Sequence, residues 1–337
     1  NLRAGKAGFR HSLVSVFPDE ETAIDRYISL LGKVAGGMQW YTLSKVSPTL
    51  LAPLIGKGLD MTLPDCFNKT TYDVLRELTD NEELIGAITG QWGDCGVTPK
   101  QSSFMVHALI AKHYIHGGYY PVGGASEIAK TVIPVIQQSG GEVFTYADVT
   151  DILVHKGKAV GVRMADGEEI EAPIVISNAG VINTFEKLLP PEVAEKCGYQ
   201  SKREHIQQSM PHIGLYLGLQ GTPDELGLPR TNFWIYPSAR HDDNVDAFLK
   251  DTSADFPVVY VSFPAAKDPD YQNRWPGTST IEVVAPTTWD LFDAWKDTTW
   301  GQRGDDYEAL KTEITDRIME VVYNKLPHLR GKVDYLE

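Results

Sequence analysis

Residues 117–180 constrain the fold more than any other stretch of this chain. They read GGYYPVGGASEIAKTVIPVIQQSGGEVFTYADVTDILVHKGKAVGVRMADGEEIEAPIVISNAG. Four glycines surround Tyr119, Tyr120 and Pro121. A helical pattern follows, with Ile128, Val132, Ile133, Val135 and Ile136 on one apolar face. Gly140 and Gly141 end it, because glycine takes the left-handed C-terminal position without a Cβ clash. Short β-branched runs come next, at 143–146, 149–154, 159–164 and 174–176. Gly157 and Asp166-Gly167 separate them as hairpin turns. The expected stretch is an antiparallel meander after a glycine turn and helix, and the expected class is mixed α/β (α+β).

A PxGG turn lets backbone approach a flat or anionic ligand closely, since no Cβ intrudes. The start of the following helix adds unpaired N–H groups and a partial positive charge. The plain alternative is a helix-entry turn with no ligand.

Outside this stretch the pattern is helical first and strand-rich later. Residues 17–34 read as a helix capped by Asp19 and broken by Gly36-Gly37. The apolar run to Leu54 predicts a partial second helix packed on the core, with a lipid-facing surface for peripheral membrane contact, or a substrate-facing one, as the alternative. Further helices are expected over 70–78, 81–92 and 100–113, with GDCGVTP as a loop. After Asn178, alternating runs at 213–219, 232–236, 257–263 and 280–285 predict an antiparallel sheet. Residues 303–326 predict a long amphipathic helix. Trp234, Tyr236, Tyr260 and Phe263 fall on the expected strands and would suit an apolar substrate, or simply a packed core.

The net charge of −14 argues against nucleic acid and against electrostatic attachment to an anionic membrane. No apolar run approaches the roughly 18 residues that span a bilayer. Three cysteines, Cys66, Cys95 and Cys197, give neither a disulfide framework nor a metal spacing and read as reduced buried thiols. His107, His113 and His116 lack ligand partners at metal spacing, so no metal site is expected.

Taken in order, the glycine turn, helix, paired glycines, meander and ISNAG resemble the second cofactor segment of FAD-dependent desaturases and isomerases. This is the phytoene desaturase and carotenoid isomerase class, and the likeness is nearest to its retinol saturase branch. Residues 95–129, 174–190, 263–280 and 303–311 agree with it, and the resemblance runs from about residue 17 to residue 333. The resemblance implies a two-domain FAD-dependent oxidoreductase, with FAD as cofactor and NAD(P)H as a candidate electron donor. The class opens on a GxGxxG Rossmann loop and closes on a glycine-rich flavin segment. This sequence contains no GxGxxG, so the chain is expected to be the middle portion of a longer protein.

The implied division is a mainly helical substrate or cap region over 1–115, part of the FAD-binding domain over 116–182, and a mixed substrate domain over 183–337. The implied cofactor residues are Gly123 and Gly124 at the turn, Val149 through its backbone, and Asn178, Ala179 and Gly180 at the strand end. An ordinary strand-to-helix connection capped by Asn178 is the alternative for ISNAG.

Flavin carries the hydride chemistry in such enzymes, and protein supplies position and electrostatics. Saturating a C=C bond also needs a proton, and Tyr119, Tyr120 and His116, with His113, are the donors near the turn. The expected reaction is reduction or isomerisation of double bonds in a retinoid- or carotenoid-like, isoprenoid substrate. The rivals are a related flavoenzyme acting on another substrate class and an inactive, shortened relative serving as a subunit of a larger complex. Location in the endoplasmic reticulum or a plastid is implied by the resemblance alone.

Overall fold

The computed structural model describes residues 2–48, 65–206, 209–299 and 301–337. The expected partial helix over 47–54 lies mostly outside them. Packing divides the chain into two compact units: Asn1–Ala125 with Ser209–Glu337, and Ser126–Gln208. This is a division by contacts, a different criterion from the division by role at 116 and 183.

The smaller unit opens with the helix Ser126–Gln138. Three strands follow: β1 (Val149–His155), β2 (Lys158–Met164) and β3 (Glu169–Glu171), paired antiparallel in that order. The first hairpin turns at Lys156 and Gly157, both at positive φ, as a two-residue turn of matching twist requires. The second turns at Gly167, φ +92°.

Two expected strands are absent from the meander. Residues 143–146 and 174–176 are irregular, and Phe144, Tyr146, Ile174 and Ile176 stand exposed. β-branched and aromatic residues favour a strand only where a neighbour strand and a packed face receive them, and these runs pair with none of the described strands. After Gly180 a short helix, Val181–Asn183, runs into a π turn, Thr184–Leu188, that packs on β1. Gly180 itself is the N-cap residue, so Asn178 does not cap this helix.

In the larger unit, the helix Glu21–Val46 buries Ile24, Tyr27, Ile28, Leu31 and Val34 against Phe104, Ala108 and Ala111 of the helix Phe104–Tyr114. Gly36-Gly37 does not break it. Interior glycine costs about 1 kcal/mol relative to alanine, and Met38 and Tyr41 beyond it still pack on the core. Asp19 lies in a preceding 3-10 turn, Pro18–Glu20, and provides no cap. Thr70, Asn81 and Ser103 do cap their helices, accepting from the N–H groups of Asp73, Leu84 and Met105. The expected helix over 81–92 is two: Glu82–Ile88 and Trp92–Cys95, the second taking the start of the expected loop.

The sheet of this unit has five antiparallel strands. They are β4 (His212–Gln220), β5 (Phe233–Ile235), β6 (Val259–Ser262), β7 (Thr278–Pro286) and β8 (Val333–Leu336), in the order β5-β6-β7-β4-β8. Leu215, Leu217 and Leu219 alternate on one face, joined by Val259, Val261, Ile281 and Val283, and the helix Asp305–Lys325 buries Ile314, Ile318 and Val322 in the same core. Strand β8 had no signal in the sequence; it exists because the turn at 327–331 returns the chain to the edge of β4. Among the described residues, no helix is long and apolar enough to cross a membrane. The cysteines are free, and only Cys66 is buried; Cys197 is exposed, against expectation.

Candidate functional site

Strand alternation builds the larger unit's second sheet face. Trp234 on β5 pairs with Tyr260 on β6, which pairs with Val284 on β7. These three therefore point away from the core that holds Val261 and Val283. Across from them stand the helices Glu82–Ile88, Trp92–Cys95 and Phe104–Tyr114, and a cavity of about 1340 Å³ lies between. That exceeds the few hundred to 1,000 Å³ usual for a small-ligand pocket.

Its aromatic wall depends on a glycine. A Cβ on Gly93 would stand 3.0 Å from the Trp234 ring. The bare helix surface there lets the indole lie flat, and Trp234 meets Tyr260 edge-on with ring centres 4.8 Å apart. Tyr236 follows β5 and donates its hydroxyl to the Gly90 carbonyl. His241 Nε2 lies 2.9 Å from the Gly86 carbonyl oxygen. A carbonyl only accepts, so the proton sits on Nε2, and burial holds the ring below its ordinary pKa. Phe263, by contrast, is wholly buried in the core of the other face.

Polar and charged side chains, among them Arg3, Glu83, Gln91, His212, Asn232 and Lys325, share the lining with the aromatics. Asp94, from the helix Trp92–Cys95, and Tyr114, at the end of the helix Phe104–Tyr114, both line the cavity. Asp94 is exposed, yet surrounding protein raises its carboxyl above the ordinary range, and the nearby Tyr114 hydroxyl opposes this only in part. Burial, with the Asp94 charge behind it, pushes the Tyr114 phenol up to about 12. Tyr260 and Tyr236 are likewise raised, mainly by burial, so all three phenols keep their protons at neutral pH.

The glycine turn is held by a second polar centre. Asp268 is buried, and its Oδ1 accepts from the N–H groups of Gly123 at 3.0 Å and Asp270 at 2.9 Å. Its other oxygen pairs with Arg274. Burial raises this carboxyl, but the two N–H groups and the guanidinium outweigh it and hold it below the ordinary range. The Gly124 N–H donates to the Pro121 carbonyl. Both turn amides are therefore engaged, and a carboxylate sits beside one of them. Such a turn fits a ligand lying flat against its backbone better than a phosphate; at Gly124, φ +90°, a Cβ would stand 3.8 Å from Arg274 Nη2.

Tyr120 is half-buried, with Lys267 Nζ 5.5 Å from its ring centre. Tyr119 is 93% exposed and His116 is exposed. Gly117 and Gly118 line the cavity, and these three side chains do not. In the smaller unit, Val149 begins β1 and pairs with Met164. Asn178, Ala179 and Gly180 form an exposed turn, where the Ala179 carbonyl accepts from the Asn183 amide and Gly180 sits at φ +89° with open space around it. Among the described residues, no cluster of His, Cys, Asp or Glu could hold a metal ion.

Sequence reasoning missed Asp94, Tyr114 and Asp268. Each lies inside a stretch that reads as loop or helix, with no spacing signal of its own. Only the contacts mark them.

The fold is shared with an oxidoreductase from Methanosarcina mazei, at TM-score 0.54 and 18% identity, covering 88% of this chain and 62% of that one. No family model matches the chain. It is 36% identical to all-trans-retinol 13,14-reductase of Danio rerio over all of its own length and 57% of that protein. It is 26% identical to the chloroplastic prolycopene isomerase of Daucus carota, over 96% of this chain and 51% of that one. It is 30% identical to a neurosporene-forming phytoene desaturase of Rhodobacter capsulatus, over 67% of this chain and 42% of that one. The chain is thus a homologue of the class that holds the carotenoid isomerases and desaturases, and within it of the all-trans-retinol 13,14-reductases. It spans a little over half the length of those reductases.

Proposed function

We propose that the protein carrying this chain is an FAD-dependent oxidoreductase that reduces or isomerises C=C bonds of a retinoid- or carotenoid-like substrate, and that the cavity of the larger unit receives that substrate. The observation that carries this reading is the cavity itself: about 1340 Å³, with Trp234, Tyr260 and Val284 forming an apolar wall along one side. Burying a long polyene against such a wall is favourable at about 25 cal/mol per Å² of apolar surface, and it excludes water from the reacting bond.

FAD, when bound, would supply hydride transfer. Gly123 and Gly124 in the larger unit, and Val149, Asn178, Ala179 and Gly180 in the smaller, are the residues the resemblance carries towards it. The turn would contribute close backbone approach, with Asp268 fixing its shape. Tyr120, Tyr119 and His116, the donors the sequence offers for a saturation, lie off the cavity lining, and would serve only a substrate end that reaches past it towards the glycine turn. Of these, Tyr120 is the most constrained, its proton retained by burial. Association of the whole protein with an endoplasmic-reticulum or plastid membrane belongs to the same proposal, since such substrates partition into lipid.

The test is to purify the full-length protein, record its flavin absorbance, and analyse products from all-trans-retinol and from poly-cis carotenoid under reducing conditions. Flavin bands with a saturated or isomerised product are expected. A colourless protein that leaves both substrates unchanged sinks the proposal.

A further inference from the structure

We infer that Lys267 is the acid that protonates the reacting double bond. This rests on the reading of the cavity as a site of C=C reduction, and it goes beyond the three donors near the glycine turn.

Strand β6 ends at Ser262, and the short helix Pro264–Lys267 folds the chain back beside it. Lys267 Nζ thereby donates to Ser262 Oγ at 2.7 Å. Ser262 pairs with Glu282 as Tyr260 pairs with Val284, so by alternation it shares the face of Tyr260. Two residues of strand separate them by about 6–7 Å. The ammonium therefore stands just past the aromatic wall of the cavity, and the Tyr120 ring lies over it, with its centre 5.5 Å away. Lys267 thus bridges the sheet face and the glycine turn.

The surroundings do little to fix its charge. Ser262 is buried and neutral, and among the described residues no ion pair joins Lys267. Glu282 is exposed on β7, and the neighbouring Asp268 is taken up by Arg274. One of the three N–H groups of the ammonium engages Ser262, and the other two have no acceptor among the described residues. Burial acts oppositely on the two acids that meet here, because it disfavours whichever form is charged. It holds Lys267 below its ordinary pKa, which Glu282 opposes only in part, and holds Tyr120 above its own. The ammonium becomes a stronger acid and the phenol a weaker one.

In the step, the alkene π pair forms a C–H bond with an Nζ proton, and the N–H pair stays on nitrogen. Hydride from a reduced flavin completes the other carbon. The bond is saturated, the flavin is oxidised by two electrons, and Lys267 is left as the neutral amine. Water then returns its proton.

The experiment uses full-length protein with all-trans-retinol or poly-cis carotenoid, whichever it reduces. Trace acylation by acetic anhydride, mapped by peptide mass spectrometry, reports the accessibility of the Lys267 amine. The polyene is expected to shield Lys267 several-fold and to leave exposed Lys250 unchanged. Single turnovers of prereduced protein are followed across pH by loss of polyene absorbance. The wild-type rate should fall as pH rises through the Lys267 pKa, since the protonated amine is the donor. Lys267→Met should slow turnover about 100-fold and remove that limb, with polyene affinity unchanged by energy transfer from protein tryptophans. Lys267→Arg keeps the charge but does not release a proton near neutral pH, and should be as slow.

Turnover of Lys267→Met near the wild-type rate overturns the donor and leaves the cavity reading standing. Recovery in Lys267→Arg also overturns it, since the lysine is then a fixed charge. So does a Lys267 that the polyene fails to shield in wild type, a result that depends on no variant folding. A wild type that isomerises without saturating needs no net proton and overturns it as well. A wild type that changes neither polyene fails the functional reading itself and takes the donor with it.

Discussion

His107 ties the stability of the larger unit to pH. The ring is 3% exposed and shares a 2.9 Å hydrogen bond with the Tyr27 hydroxyl. Burial pushes its pKa down to about 4, against about 6.5 in an unfolded chain. Between those values the unfolded chain binds the extra proton, so stability falls as pH drops from 6.5 to 4 and the loss is complete below that. The loss is expected to be on the order of 3 kcal/mol. Melting temperatures from pH 7 to 4 should show it, and His107→Gln should flatten the curve in that window. Asp268 acts in the same direction at lower pH, because its stabilisation is lost as pH falls through a depressed carboxylate pKa. Gly124→Val probes the glycine turn. Both Gly124 and Gly140 have positive φ, so Val at the first and Ala at the second each add strain of about 1–3 kcal/mol. In the full-length protein, Gly124→Val should also empty the flavin site, and Gly140→Ala should not. Full flavin content and normal turnover in Gly124→Val would reduce the turn to punctuation.

Among the elements, the helix Glu21–Val46 shows how tertiary packing overrides a local break. Two adjacent glycines would end an isolated helix, but the buried stripe on either side holds this one continuous. The glycines remain a local weakness. A Cβ on Gly36 meets nothing within 4 Å, so Gly36→Ala should stabilise by about 0.5–1 kcal/mol, read as a raised melting temperature. An unchanged or lower value would mean the glycine serves a contact outside the described residues. The meander shows the converse. Residues 149–171 form strands because hairpins bring their partners within reach. Residues 143–146 and 174–176 have the same composition and remain irregular.

For the whole molecule, the question is what this length of chain holds by itself. It contains no GxGxxG, the loop whose backbone N–H groups normally grip a dinucleotide pyrophosphate. The N–H groups of Gly123 and Gly124 cannot replace it, being engaged by Asp268 and Pro121. Residues 1–337 expressed alone should therefore carry far less than one FAD per chain by absorbance at equilibrium. One tightly bound flavin per chain would show that the dinucleotide is gripped elsewhere. Polyene binding is expected to be separable from this, since the cavity lies wholly within the larger unit.

The sequence alone determined what is local. The strand alternation of β4 to β7, the turns at Gly157 and Gly167 and the long helix before Leu326 follow from side-chain period and backbone stereochemistry over a few residues, whereas the caps expected at Asp19 and Asn178 did not form. The order of motifs also carried the kinship with the retinol reductases. Tertiary structure decided which distant groups meet. The Gly123 amide reaches Asp268 across 145 residues, β8 returns to β4, and Trp234 finds the bare surface of Gly93. Asp94 and Tyr114 come to line one cavity only once two helices face it. Such contacts leave no period in the sequence, because they arise from closing long loops around a core rather than from the conformational preferences of neighbouring residues.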